Sequence, residues 1–146
     1  MKVDSCVFCK IAEGAVPAHV VYQDEKILAF LDNGPIFPGH CLVCPKDHFE
    51  TMYDLPNAML EPLFAATRLI GLAIEDGLGA EGTFVAINNK VSQSVPHLHV
   101  HVMPRRRKDG MKGFFWPRRP YRDSDEAADT AAKVRDAISR VKNGRS

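Results

Sequence analysis

The chain has 146 residues, of which 45% are hydrophobic and 25% are charged, and its formal net charge is +1. This length and composition are typical of one globular domain, and the balanced charge provides no overall attraction to nucleic acid or to a membrane surface. We find no apolar run that approaches the roughly 18 residues of a membrane-spanning helix. We therefore expect a single domain over 1–146 in the cytoplasm, with neither a membrane nor nucleic acid as its partner.

The first third of the sequence predicts one short helix and three strands. Residues 6–13 are expected to form a helical turn that ends at a glycine. Two strands, 19–23 and 26–31, follow, and Asp24 between them favours a tight hairpin. A third strand is predicted over 41–44, where a proline closes it.

The rest of the sequence predicts a long helix, two more strands and a C-terminal helix. Apolar residues recur near the 3.6-residue period over 57–76, and Pro62 either starts the regular helix or kinks its first turns. One strand is predicted over 83–87. A C-terminal helix is expected to run to Val141, with the Ser124 hydroxyl as its cap. Five strands joined mainly by short links predict an α+β domain with an antiparallel sheet.

The fifth predicted strand is the most informative segment, because three histidines alternate in it with three apolar residues: His97, His99 and His101 with Leu98, Val100 and Val102. Successive side chains of a strand point to opposite faces, so all three imidazoles share one face, with about 7 Å between neighbours. Imidazole titrates near neutral pH, so such a row can supply a nucleophile, an acid or base, or metal ligands. One interpretation is a metallohydrolase in which the three histidines jointly hold a catalytic zinc with an open water position.

The four cysteines form two Cys-x-x-Cys pairs, which in a reducing compartment indicate metal binding or redox work before a disulfide framework. Cys6 and Cys9 have the spacing of a zinc half-site, which two histidines would complete to a tetrahedral ligand set. Cys41 and Cys44 lie on a predicted strand, with side chains on opposite faces. We interpret this second pair as small buried residues.

The segment from Gln93 to Val102 closely resembles the His-φ-His-φ-His-φ-φ signature of the histidine triad (HIT) superfamily of nucleotide hydrolases and transferases. Residues 29–32 and 38–48 resemble the first conserved block of this family, and residues 6–11 resemble the opening of its bacterial members. The resemblance implies a HIT-like α+β fold with a core over 6–104, in which a five-stranded antiparallel sheet carries one long helix and a C-terminal helix. Residues 105–146 then form a basic and aromatic extension of this domain, and the family implies a homodimer.

The resemblance also implies a catalytic role for the histidine row. In this family the middle histidine, here His99, attacks the α-phosphorus of a nucleotide and forms a nucleotidyl-histidine intermediate, which water or another acceptor resolves. Neutral imidazole is a good nucleophile toward phosphorus, so one difficult displacement becomes two easier steps. His101 is implied to hydrogen-bond a phosphate oxygen, and Gln93 and Ser94 to contact the phosphate or the leaving group. The implied activity is hydrolysis at the α-phosphate of an adenine-type nucleotide, such as a phosphoramidate or a dinucleoside polyphosphate.

The same resemblance implies the substrate-binding residues. Asp32 matches the position whose carboxylate accepts hydrogen bonds from the ribose hydroxyls, and Asn88 matches the residue before the catalytic loop. Candidates for the base pocket are the apolar neighbours Ile11, Phe30 and Leu31.

A structural zinc site is implied beside the catalytic histidines. By resemblance to zinc-containing bacterial relatives, His48 and His97 complete the ligand set that Cys6 and Cys9 begin. A closed four-ligand site ties chain segments together and does not activate water, so His99 stays free for catalysis.

Two features leave alternatives open. A nucleotidyl transferase, or a nucleotide-binding regulatory module with negligible turnover, would use the same residues as the hydrolase.

The basic segment carries eight Lys or Arg from Arg105 to Arg122. This segment is either a solvated charge run or a flap in which Trp116 stacks on a base and Arg118 or Arg119 meets phosphate.

Overall fold

The computed structural model describes residues 1–111 and 118–144. The chain falls into two compact units, which divide between Asp109 and Gly110. The helices and strands of the first unit are α1 (Val7–Ala12), β1 (Val20–Gln23), β2 (Ile27–Leu31), β3 (Cys41–Pro45), a 3-10 helix (Met52–Asp54), α2 (Asn57–Leu78), β4 (Gly82–Ile87) and β5 (Val100–Arg105). The five strands form one antiparallel sheet in the order β1-β2-β3-β5-β4. The second unit contains α3 (Ser124–Gly144), so the predicted fold, with five strands, a long helix and a C-terminal helix, is confirmed.

The sheet buries a different set of side chains on each of its faces. In β2, Ala29 belongs to the core layer against α2, whereas Leu28 belongs to the layer against α1. Cys41 and Cys44 divide between the two layers in the same way. The prediction that these two cysteines are buried on opposite faces is therefore confirmed.

The long helix α2 packs one apolar face against the sheet. Its buried residues recur at helical spacing, and they are Leu63, Ala66, Thr67, Ile70 and Ile74. Pro62 lies inside the helix, in its second turn, where it removes one N–H donor without ending the helix. By length and composition alone this helix is apolar enough to cross a membrane, which differs from the expectation that no segment is. A core helix passes the same test, and α2 covers one face of the sheet.

The histidine row begins before the fifth strand, which corrects the predicted strand bounds. β5 runs over Val100–Arg105, so His101 alone of the three histidines lies in the ladder. β3 ends at Pro45, whose carbonyl accepts from the His97 ring at 2.8 Å, and the Leu98 amide donates to the Phe49 carbonyl at 2.6 Å. The predicted alternation of apolar residues is still observed. The fully buried side chains that face α2 are those of Leu98, Val100 and Val102.

The cap of α3 also differs from its prediction. The carboxylate of Asp123, and not the hydroxyl of Ser124, accepts a hydrogen bond from the Glu126 amide at 2.8 Å. A carboxylate one residue earlier satisfies the same first-turn donor and adds a negative charge that the helix dipole favours. The prediction therefore misplaced the cap by one residue.

Two arginines at the start of the basic segment form ion pairs within the first unit. Arg105 binds Asp109 at 2.6 Å, and Arg107 binds Glu81 at 2.9 Å. These pairs agree with the interpretation of this part as a solvated charge run. The predicted flap residue Trp116 lies outside the described residues, so the flap stays a prediction.

Candidate active site and metal centre

Four predicted metal ligands meet where α1 joins the sheet. The side chains of Cys6, Cys9, His48 and His97 each offer a ligand atom, and these atoms lie within 4.8 Å of one another. The Cys6 Sγ is 3.4 Å from the His97 Nδ1, and the Cys9 Sγ is 3.5 Å from the His48 Nδ1. Tetrahedral zinc, with bonds of about 2.3 Å to sulfur and about 2.0 Å to nitrogen, requires a sulfur–nitrogen separation of about 3.5 Å. The donor set and its spacing therefore fit zinc.

The local structure gives these side chains the positions and protonation states that a metal ligand requires. Cys6 is the N-cap residue of α1 and Cys9 follows one turn later, so the helix itself brings both thiols to one side. The His97 Nε2 donates to the Pro45 carbonyl at 2.8 Å, which leaves Nδ1 unprotonated toward the thiols. Burial lowers the pKa of His97 to about 4, so its ring is neutral at pH 7, as a metal ligand must be. Burial raises the pKa of the Cys9 thiol, and a divalent cation would counter this effect by stabilising the thiolate.

His99 lies two residues beyond His97, and its hydrogen bond defines its tautomer. Nδ1 of His99 is 2.6 Å from the His97 carbonyl oxygen, which can only accept, so Nδ1 carries the proton and Nε2 carries the lone pair. Burial lowers the pKa of His99, which favours the neutral ring. A neutral imidazole with an unprotonated Nε2 is the form that a nucleophile requires.

His101 is hydrogen-bonded to His40, and the carboxylate of Asp32 lies beside this pair. The Ile36 amide donates to the His40 Nδ1 at 3.3 Å, so His40 carries its proton on Nε2, which is 2.9 Å from the His101 Nδ1. His101 accepts this bond and keeps its own proton on Nε2. The Asp32 Oδ2 lies 3.7 Å from the His40 Nε2. Burial lowers the pKa of His101 to about 4, so at pH 7 this ring is a neutral hydrogen-bond donor.

One cavity of about 600 Å³, on the α1 face of the sheet, is lined by seven of the predicted site residues: Ile11, Phe30, Leu31, Asp32, Ser94, His99 and His101. Apolar walls with a few convergent polar groups are typical of small-molecule sites. The ring centroids of His99 and His101 lie 4.9 Å apart. The two rings are therefore closer together than the backbone spacing of about 7 Å between alternate residues of a regular strand.

A protein-family model described as "HIT domain" matches residues 13–108, which is more than half of the chain. The chain belongs to the HIT family. Protein hit of Bacillus subtilis is 40% identical over 115 residues, or 77% of this chain and 79% of that relative. Adenosine 5'-monophosphoramidase HNT1 of Candida albicans is 29% identical over 145 residues, or 95% of each chain. Adenylylsulfatase HINT3 of Arabidopsis thaliana is 33% identical over 108 residues, or 73% of this chain and 55% of that relative.

Solved structures resemble this HIT protein over almost its whole length. A Streptococcus mutans protein gives a TM-score of 0.85 at 33% identity and covers 94% of this chain and 87% of its own. A zinc-bound histidine triad family protein from Mycobacterium smegmatis gives a TM-score of 0.69 at 36% identity, with coverage of 97% and 98%. These findings confirm the HIT resemblance and the fold that it implied.

Two predicted HIT site residues, Gln93 and Asn88, are not part of the large cavity as far as the structure describes its lining. Gln93 lines a neighbouring recess of about 360 Å³ together with Tyr53 and Lys90. Its Nε2 donates to the Glu50 carbonyl at 2.6 Å, and its Oε1 accepts from the Lys90 amide at 2.9 Å. Asn88 directly follows β4 and is half-buried. The substrate contacts of both residues stay predictions.

His40 is the residue of this HIT site that sequence reasoning missed. It lies inside the recognised block 38–48, but nothing in that block relates it to the histidine row. The relation comes from pairing between distant segments, because β3 runs antiparallel to β5 and brings His40 beside His101. Its only sequence signal is a histidine one residue before a buried strand.

Proposed function

We propose that this HIT protein is a nucleotide hydrolase that forms a nucleotidyl-His99 intermediate. Its substrates are adenine-type nucleotides with a good leaving group on the α-phosphate, such as an adenosine phosphoramidate or a diadenosine polyphosphate. One observation carries the proposal: the bond from the His99 Nδ1–H to the His97 carbonyl leaves an Nε2 lone pair at a cavity that Asp32 also lines. Two relatives carry the names adenosine 5'-monophosphoramidase and adenylylsulfatase, which agree with chemistry at an adenylyl group.

The proposed reaction has two displacements at the α-phosphorus. In the first, the His99 Nε2 attacks phosphorus, the bond to the leaving group breaks, and the leaving group departs with its electron pair and takes up a proton from solvent. In the second, water attacks phosphorus and releases a proton to solvent, the bond from phosphorus to His99 breaks with its electron pair returning to Nε2, and AMP is released while the ring returns to its neutral form. His101 offers its Nε2–H to a non-bridging phosphate oxygen, where negative charge develops, and Ser94 lines the same cavity as a second donor.

The nucleoside part of the substrate is proposed to lie along the apolar wall of the cavity. Asp32 follows β2, and its Oδ1 accepts from the Gly34 amide at 2.8 Å, which orients the carboxylate. We propose that this carboxylate accepts hydrogen bonds from the ribose hydroxyls. The base would then contact Ile11, Phe30 and Leu31, which line the cavity beside it.

We propose that the four-ligand cluster holds structural zinc. The donor spacing fits the ion, and the Mycobacterium smegmatis relative is zinc-bound. Zinc with four protein ligands has no open position for water. Because its ligands would come from α1 and from segments next to the sheet, the bound ion would cross-link the two. A metallohydrolase would need all three histidines on one ion. The structure argues against that alternative, because His97 faces the thiols whereas the His101 Nδ1 faces His40.

Release of AMP tests this proposal. Wild-type protein is expected to release AMP from an adenosine phosphoramidate or a diadenosine polyphosphate, and His99→Ala should lower the rate by about a thousandfold or more. Leu69→Ala is the control, because Leu69 is exposed on α2 and lines none of the three cavities described. Release that survives in His99→Ala would contradict the covalent mechanism. Binding of AMP without turnover in wild type would favour the regulatory module, and capture of the adenylyl group by an added alcohol would indicate the transferase.

We also propose that the protein forms a homodimer through β4. This strand stands at the end of the sheet order, beside β5. Beside this edge, Leu72 and Val85 are exposed and line a recess of about 320 Å³. A two-fold axis between two β4 strands would extend the sheet and bury this apolar patch on both copies.

A further inference from the structure

We propose that Phe8 is a positioning residue that couples the metal-ligand cluster to His99. The consequence is that metal loss slows formation of the nucleotidyl-His99 intermediate, although the metal takes no part in that step. This inference rests on the proposed function. It adds to that function a residue that neither the sequence motif nor the hydrogen-bonded groups include.

The contacts of Phe8 are the first observation behind this inference. Its buried ring lies edge-on to His99, with centroids 5.0 Å apart and an interplanar angle of 85°. The same ring lies 5.8 Å from His97 at 66°, and 5.2 Å from Phe30 at 77°. Edge-to-face arrangements are the favoured geometry for such rings. The ring of Phe8 therefore contacts His99 beside the His97 carbonyl and the ring of His101.

The second observation is how α1 is attached. This helix has six residues, and an isolated helix of that length is not stable in water. Phe8 lies between the two thiols in the sequence, and both thiols face imidazole nitrogens of His48 or His97. A metal bound by Cys6 and Cys9 therefore fixes the turn that carries Phe8. Without the metal, the position of the ring depends on its apolar contacts.

Substitution of Phe8 separates positioning from binding. Phe8 also lines the large cavity, so a simple loss of apolar wall would raise KM. Leucine keeps an apolar wall but removes the ring edge that contacts His99. We therefore expect Phe8→Leu to keep zinc and to change KM little, while kcat falls by about tenfold because the nucleophile is no longer held in place. The matched control is Phe64→Leu, because Phe64 is exposed on α2, which packs on the opposite face of the sheet.

The test compares the adenylylation rates of wild type and the two variants, each with and without zinc, as in a double-mutant cycle. Adenylylation of the protein by an adenosine phosphoramidate is timed by alkaline quench and intact mass, in zinc-loaded and in chelator-treated samples, with zinc content and circular dichroism measured on each before the quench. The proposal predicts that chelation slows wild type and Phe64→Leu much more than it slows Phe8→Leu. Equal effects of chelation on all three proteins would overturn it. If the chelated chains unfold, the loaded Phe8→Leu protein decides the question, and an unchanged kcat overturns the proposal.

A spectroscopic measurement needs no turnover. The Phe8 ring should shift the ring-proton resonances of His99 in the NMR spectrum of the zinc-loaded protein. We expect this shift to disappear on chelation and in Phe8→Leu, and to persist in Phe64→Leu. A shift that survives chelation in a folded protein would overturn the coupling. Absence of any adenylylated wild type, with the shift still sensitive to metal, would instead contradict the proposed function and leave the contact established.

Discussion

The Nδ1–H of His99 donates to the backbone carbonyl of His97 at 2.6 Å, while the ring of His97 faces the thiols of Cys6 and Cys9 at 3.4 and 3.6 Å. His97 thus contributes its side chain to the candidate metal centre and its backbone to the candidate nucleophile. Its carbonyl can bind an imidazole because β5 begins only at Val100. In a paired strand the same oxygen would often be committed to the sheet ladder.

His101 should make the protein less stable in acid. Burial, with His99 and His40 nearby, lowers the pKa of His101 to about 4, whereas a histidine in an unfolded chain titrates near about 6.5. Between these values the unfolded chain binds a proton that the folded chain does not. The free energy of unfolding should therefore fall as the pH falls through this range, by about 1.4 kcal/mol per pH unit for this one histidine.

Urea unfolding at several pH values checks this prediction. His101→Gln should weaken the dependence of the unfolding free energy on pH, whereas His19→Gln, at an exposed position, should keep the wild-type slope. An unchanged slope in His101→Gln would show that this ring does not set the acid sensitivity.

The metal centre predicts a sharp difference between the two cysteine pairs. Purified protein should contain about one zinc ion per chain, and Cys9→Ala should lose it together with a large part of the thermal stability. Cys41→Ala should keep the metal, because Cys41 is buried in the layer against α2 and is not part of the ligand cluster. Elemental analysis and thermal unfolding measure both effects. Equal zinc content in Cys9→Ala and wild type would rule out the assigned ligands.

The proposed ribose contact predicts that Asp32 and the 2′-hydroxyl act as a pair. A hydrogen bond to a charged group contributes about 1.5–3 kcal/mol, so Asp32→Asn should lower kcat/KM by roughly tenfold to a hundredfold. A 2′-deoxy substrate should cost wild type a similar factor and cost Asp32→Asn much less. Asp76→Asn, at an exposed position on α2, is the control. If the free-energy cost of Asp32→Asn and that of the 2′-deoxy substrate simply add in the double combination, Asp32 does not contact that hydroxyl.

The proposed dimer predicts that a charge at the β4 edge separates the copies. A two-fold axis places equivalent residues of the two edges near each other, so Val85→Lys should bring like charges together and produce monomers. Val91→Lys is the matched control, because Val91 is 79% exposed in the loop after β4. Sedimentation velocity distinguishes the two states. A wild type that sediments as a monomer would contradict the proposal directly.

The parts of the fold that sequence could predict are those with a local periodic signal. Strict alternation placed Leu98, Val100 and Val102 in the core, and helical spacing located α2 within two residues of its observed end. The Cys6 and Cys9 spacing predicted two members of the candidate ligand cluster, and the family resemblance predicted the other two, His48 and His97, which lie beside them.

The parts that sequence could not predict depend on contacts between distant segments. β5 begins at Val100, which pairs with Val43 of β3 and with Ile87 at the end of β4, so the ladder does not include His97 or His99. The contact of His40 with His101 requires the β3-β5 register, and that of Phe8 with His99 requires the placement of α1 on the sheet. None of these relations leaves a periodic trace in the sequence.

Intact-protein mass spectrometry after a rapid alkaline quench detects the nucleotidyl-His99 intermediate itself, because its phosphorus–nitrogen bond is labile in acid and survives in alkali. Wild type, His99→Ala and the control Leu69→Ala are each incubated with an adenosine phosphoramidate and, separately, with a diadenosine polyphosphate. We expect a mass gain of one AMP on wild type and on Leu69→Ala, and no gain on His99→Ala. No adduct on wild type, together with AMP release that survives in His99→Ala, would contradict nucleophilic catalysis by this histidine.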